Sequence, residues 1–214
     1  MNIPVVRVYQ RGDSHAVRRI CCETALYGQP IDSVFGDREF VADALVWYYT
    51  EFEPESLFVA QVDGRVVGYL TGCMDTTRFE SFFVQRVIPR LLVHSLKSGH
   101  WFRRTFWSLV CADLKAMRRW VPIRKGVIAA YPAHCHLNLE GEFRHAGAGS
   151  ALLAAFLERL KALKVSGIHI ATATDTGKSF FTKSEFSVLA RYRAPVLGRL
   201  EGRETWVMGR LLRA

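Results

Sequence analysis

The chain has 214 residues, half of them apolar, and a formal net charge of +9. That length suits one sizeable domain able to bury a full core, and the composition excludes low-complexity and repeat architectures. The positive excess suits a polyanionic ligand, nucleic acid or an anionic membrane surface, and charge alone does not choose among them.

MNIPVVRVYQRGD is too short and polar to read as a signal peptide, and no apolar run approaches the roughly 18 residues of a membrane span. Cys21, Cys22, Cys73, Cys111 and Cys135 are an odd number at no metal-ligand spacing, which reads as free thiols in a reducing cytoplasm. Val5 to Tyr9 reads as a first strand. Asp13 or Ser14 then caps a helix carrying Val17, Ile20, Cys21, Ala25 and Leu26. After a loop at Gly28 to Asp32, Asp37 caps a second helix from Arg38 to about Phe52. Ser56 to Val62 and Arg65 to Cys73 flank Asp63-Gly64, the strongest short hairpin signal in the chain.

From Asp75 to Lys125 the pattern turns helical. Thr77-Arg78-Phe79-Glu80 has capping-box spacing, Pro89 should kink or divide the first helix, and Ser98-Gly99 is a break. A second helix is expected from Trp101 to Trp120, with Phe102, Phe106, Leu109, Met117 and Trp120 as its apolar stripe. Asp113 lies in that stripe and calls for a partner, while Arg104, Ser108, Lys115 and Arg118 lie opposite. This face reads as a helix packed on the domain, an interfacial membrane helix or a nucleic-acid patch.

The most informative stretch is Tyr131 to Lys164. His134 to Leu139 alternates as a strand, with His134, His136 and Asn138 on one face and Cys135, Leu137 and Leu139 on the other. Arg144-His145-Ala146-Gly147-Ala148-Gly149-Ser150 then opens a helix marked by Leu152, Leu153, Phe156, Leu157, Leu160 and Leu163. A strand, a glycine-spaced turn and a helix start form an anion cradle, because free N–H groups and the positive helix end favour phosphate. The dinucleotide fingerprint and the GxxxxGK-S/T loop are both absent from the sequence.

Arg144-x-x-Gly147-x-Gly149 resembles the Gln/Arg-x-x-Gly-x-Gly/Ala motif of the GNAT superfamily of N-acetyltransferases. Leu139 to Phe143 fits that family's lead-in, with Gly141 where Pro is common. PAHCHLNL also resembles the acetyltransferase-like domains found with O-GlcNAcases and their bacterial relatives, although Asn138 stands where those usually carry an acid. Ile168 to Ala173 then reads as a strand, Lys178 to Lys183 as a short helix, and Val188 to Val196 and Thr205 to Leu212 as closing strands.

The resemblance implies an α/β GNAT fold: a mixed, mostly antiparallel sheet with splayed central strands between helices, here with a helical insertion at about 75–126. It implies that Arg144, His145, Ala146, Gly147, Ala148, Gly149 and Ser150 hold the pyrophosphate of acetyl-CoA, with backbone groups of Leu137, Asn138 and Leu139 along its pantetheine. A second family signature aligns with Thr174, Asp175, Gly177, Phe181 and Phe186. Phe181 stands where a proton-donating Tyr is common. The implied reaction is direct acetyl transfer to an unidentified amine in a ternary complex, without metal. The alternatives are a non-catalytic acyl-CoA-binding module and an attachment protein using its basic helices. His136, then His134, are the candidate bases, because neutral imidazole suits proton transfer near pH 7. A structural pair and, less readily, two metal ligands are the other readings of these histidines. Cys135 faces away from them, so no covalent nucleophile is nominated. No nucleic-acid partner is expected, and the aromatic insertion leaves a homodimer open.

Overall fold

A computed structural model describes residues 4–144, 146–196 and 199–212, leaving aside the side chains of 105, 109, 112–117, 119, 194–196 and 199–202. Strand β1 (Val5–Val8) lies antiparallel to β2 (Leu57–Val62), which turns through Asp63-Gly64 into β3 (Arg65–Cys73). Both turn residues have positive φ, 51° and 78°, the geometry whose twist matches a two-residue hairpin. β3 pairs antiparallel with β4 (Ala133–Leu139), and β4 runs parallel to β5 (Gly167–Thr172). A final hairpin, β6 (Ser187–Val196) and β7 (Arg199–Leu211), completes the spatial order β1-β2-β3-β4-β5-β7-β6. The sheet is mixed and mostly antiparallel, as expected.

Strand alternation divides the core into two layers. Phe58, Ala60, Val67, Leu70 and Cys135 join Leu152, Leu153, Phe156 and Leu160 of α6 (Ala148–Ala162). Leu57, Val59, Val66 and Tyr69 face the other way, against Val17 and Ile20 of α1 (Ser14–Thr24) and Val46 of α2 (Arg38–Glu51). Each fully buried Leu or Phe contributes about 1.5–3 kcal/mol. α7 (Asp175–Lys183) adds Phe181 to the α6 layer.

Asp37 caps α2 as expected, accepting the Phe40 N–H at 2.9 Å, and its second oxygen accepts from Nε2 of both His94 and His100 at 2.7 Å. Asp13 makes no side-chain cap on α1; its carboxylate binds Arg7 at 2.7 Å and the Gln10 N–H at 2.8 Å. A charged partner outcompetes a neutral cap.

Between β3 and β4 run α3 (Thr76–Phe82), a π turn (Phe83–Val87), α4 (Ile88–Lys97) and α5 (Arg104–Ala130). Asp75, rather than the Thr77–Glu80 box, caps α3, and Glu80 instead pairs with Arg124. The helical run continues unbroken from Thr76 to Lys97, and Pro89, with no N–H to offer the carbonyl four residues back, follows the wider π turn. α5 continues ten residues past Trp120, through Pro122. Phe102 is not part of a buried stripe: it sits in a short turn before α5 and is 83% exposed, whereas Phe106 is buried. The side chains of Leu109, Asp113, Lys115 and Met117 lie outside the described residues.

Candidate active site

Strands β4 and β5 share only two register pairs, Ala133–Ile168 and His134–His169. Beyond them β4 stays on β3 as far as Leu139, while β5 follows β7 over its full length. From Cys135 to Leu139, the β4 edge that faced β5 is therefore released from the ladder. The sheet opens as a V whose inner edge presents the backbone groups of Leu137 and the Leu139 N–H, while Asn138, opposite Tyr69, turns its own towards β3. The groups on the open edge seek partners. The Asn138 side chain itself turns away, donating to Thr24 Oγ1 at 2.5 Å.

At the open end of β4, a short turn (Gly141–Phe143) leads to the start of α6. The first bond of this helix runs from the Ala151 N–H to the Gly147 carbonyl, at 3.0 Å. The N–H groups of Ala148, Gly149 and Ser150 thus precede the ladder and form the positive end of a 15-residue helix. The two glycines differ. Gly147 has φ of +82° and looks onto open space, which leaves the helix start beside it uncovered. Gly149 is buried, and a Cβ there would lie 3.4 Å from Leu139 and 3.6 Å from Phe180, ordinary contact distances at which a methyl group would fit. Arg144 does not point its guanidinium into the cradle. It donates to the carbonyls of Leu139 (3.3 Å) and Gly28 (3.2 Å), fastening the turn to the α1–α2 connection. Ala146 is partly buried, and His145 lies outside the described residues.

His134 and His136 do share a face of β4, and their circumstances differ. The single hydrogen of the Thr76 hydroxyl goes to the Pro132 carbonyl at 2.7 Å, so Thr76 Oγ1 accepts from His134 Nδ1–H at 2.8 Å. His134 Nε2 then accepts from the Tyr49 hydroxyl at 2.9 Å. This donor count assigns the tautomer. Both nitrogens are occupied, and burial, reinforced by His136 and His169, holds the ring far below the usual imidazole range. His134 is consequently a locked structural group, which corrects its candidacy as a base.

His136 is exposed at the V, and neither of its ring nitrogens takes a protein partner among the described residues. Desolvation by the groups packed round it, with His169 nearby, pushes its pKa down to about 4. The ring is therefore neutral at pH 7 and able to accept a proton. The sequence reading missed His169, which pairs in register with His134 and gives its Nδ1–H to the Tyr131 carbonyl at 2.7 Å. Its alternation in Ile168-His169-Ile170 was the signal available. Three imidazoles lie close together, but the bonds to Tyr49 and Thr76 occupy both nitrogens of His134 and that to Tyr131 takes Nδ1 of His169, so His134 is unavailable as a ligand. No group fit to hold a metal occurs among the described residues.

No family model matches the chain. Among solved structures, it is similar to SsHAT with a TM-score of 0.74 and 26% identity, over 100% of both chains. It is similar to the polyamine N-acetyltransferase of Drosophila melanogaster at a TM-score of 0.62 and 13% identity, covering 98% of this chain and 100% of that one. A GNAT superfamily phosphinothricin acetyltransferase from Sinorhizobium meliloti, solved in complex with AcCoA, gives 0.60 and 15%, covering 99% and 89%. This chain has the GNAT acetyltransferase fold.

The second GNAT signature is altered in a way the structure makes concrete. Thr174 is the N-cap of α7, its hydroxyl accepting the Gly177 N–H at 3.1 Å, and Asp175 is exposed in the first turn. Phe181 is buried against Phe180 and Phe186 and offers no proton. On the histidine side of the V, Trp120 of α5 stacks on His169 at 5.9 Å and lies 6.5 Å from Tyr192. Arg203 of β7 lies over the Tyr27 ring at 5.0 Å. Of the aromatic residues near α1 and α2, Phe35 and Tyr48 are buried, and Trp47 carries Arg90 on its face at 4.6 Å. A cleft of about 650 Å³ between Val34–Glu39, His100 and Arg103 shares no residue with the V.

Proposed function

We propose that this protein transfers the acetyl group of acetyl-CoA directly to an amine held on the histidine face of the V. The observation that carries this reading is the parting of β4 from β5 after two pairs, beside an uncapped helix start at Gly147. The N–H groups of Ala148, Gly149 and Ser150 suit the donor's pyrophosphate, and the released edge at Leu137 and Leu139 suits its amide-bearing arm. A free N–H of that edge aimed at the thioester carbonyl would stabilise the oxyanion of the tetrahedral intermediate. The amine nitrogen bonds to the carbonyl carbon, the C–S bond breaks, and the amine proton passes to His136. With Phe181 in place of a phenol, the departing thiolate takes its proton from solvent, which is feasible for a thiol of pKa about 8.5.

That same Phe181 favours one other reading, an acyl-CoA-binding module without turnover. Calorimetric titration with acetyl-CoA, followed by assay of thiol release with amines, separates the two. Gly147→Val places a branched side chain at φ +82° and in the open cradle, and should weaken acetyl-CoA binding about tenfold or more. Undiminished affinity in the folded variant would place the donor elsewhere.

A further inference from the structure

Helix α4 keeps most of its apolar residues outside. Its inward side is the partly buried Leu91 with two polar groups, the fully buried Ser95 and His94, which is bound to Asp37. Outward it shows Leu92, Val93 and Leu96, with 40, 51 and 54% of their surface exposed, and Ile88 at 38% on its flank. Val84 in the preceding π turn and Phe102 in the turn after the helix are exposed as well. Scattered exposed apolar residues are ordinary, whereas a helix whose solvent face is its apolar face calls for a covering partner.

Charge identifies that partner. Residues 76–130 carry eleven Lys and Arg against Glu80 and Asp113, which is the whole net charge of +9, and the rest of the chain is balanced. Arg86, Lys97, Arg103 and Arg104 border the apolar face, are exposed, and form no salt bridge among the described residues. A second copy would bring like charges together, so self-association through this face is disfavoured. A nucleic acid would engage the cations and leave Leu92, Val93 and Leu96 in water. An anionic bilayer accepts both, taking the apolar side chains into its interface and the cations onto its headgroups. No helix among the described residues is long and apolar enough to cross a membrane, so the contact is peripheral. We propose that α4 and its flanking turns dock this protein on an anionic lipid surface.

The test is flotation of the full chain with vesicles of phosphatidylcholine alone or enriched in phosphatidylserine, with duplex DNA as a competitor. The wild type should float with the phosphatidylserine vesicles, remain behind with phosphatidylcholine, and detach progressively as salt rises. Leu92→Glu/Leu96→Glu, at two exposed positions remote from the V, should reduce flotation about tenfold or more while melting temperature and acetyl-CoA affinity stay unchanged. Absence of flotation on anionic vesicles, full flotation of the double variant, or displacement of the vesicles by DNA would each overturn the proposal.

Discussion

The two faces of β4 are built on opposite principles. On one, Cys135, Leu137 and Leu139 meet the apolar side of α6 around Leu152, Leu153 and Phe156. On the other, His134 is saturated by Tyr49 and Thr76, while His136, two residues along, is left open at the V. Close packing lets the first face fix the distance between strand and helix, and hence the place of the Gly147 cradle. The second face tolerates buried polar groups only because their bonds are complete, and it exposes the one imidazole that has none. Rigidity and reactivity are thus divided between alternate residues of a single strand.

The largest effect should come from breaking the apolar face. Phe156→Ala removes a fully buried ring that touches the space at Gly72, and should cost about 3–5 kcal/mol in denaturant unfolding. A loss below about 1 kcal/mol would mean that α6 can resettle and does not fix the cradle.

Next in size is the open face. His136→Gln should lower turnover about 10²-fold or more, with acetyl-CoA affinity unchanged. The same variant tests the low imidazole pKa. An unfolded imidazole titrates near 6.5, so a folded value near 4 means the unfolded chain binds more protons as pH falls between those limits. Wild-type stability should decline through that window, and the variant should decline less steeply. Identical slopes would show that His136 is fully hydrated.

The smallest effect concerns the locked partner. Tyr49→Phe leaves the buried His134 Nε2 without its donor and should destabilise the fold by about 1–2 kcal/mol. A turnover loss as great as that of His136→Gln would assign the reactive role to the Tyr49–His134 pair instead.

Most of the fold was legible because it is written in short-range pattern. The period of two in β2 through β4, the Asp63-Gly64 turn, the glycine spacing before α6 and the Asp37 cap all act within a few residues. The misreadings share the opposite trait. Asp13 was claimed by Arg7 and Glu80 by Arg124, and Arg144 reached the Gly28 carbonyl. His134 and His136 look alike in sequence and differ only through Tyr49 and Thr76, residues 85 and 58 positions away. His169 enters the site because β5 returns in parallel beside β4, a crossover that local periodicity does not encode.

One carboxylate has a consequence for how the molecule opens. Asp37 caps α2 and at the same time receives His94 from α4 and His100 from the turn before α5. Three segments therefore meet at one carboxylate, and fraying of α2 at Asp37 releases both histidines at once. In amide exchange, the first turn of α2, the last turn of α4 and the His100 turn should behave as one cooperative opening unit with a common free energy. A chain segment that would otherwise be the easiest to peel away is thereby enrolled in the stability of the sheet's own helical layer.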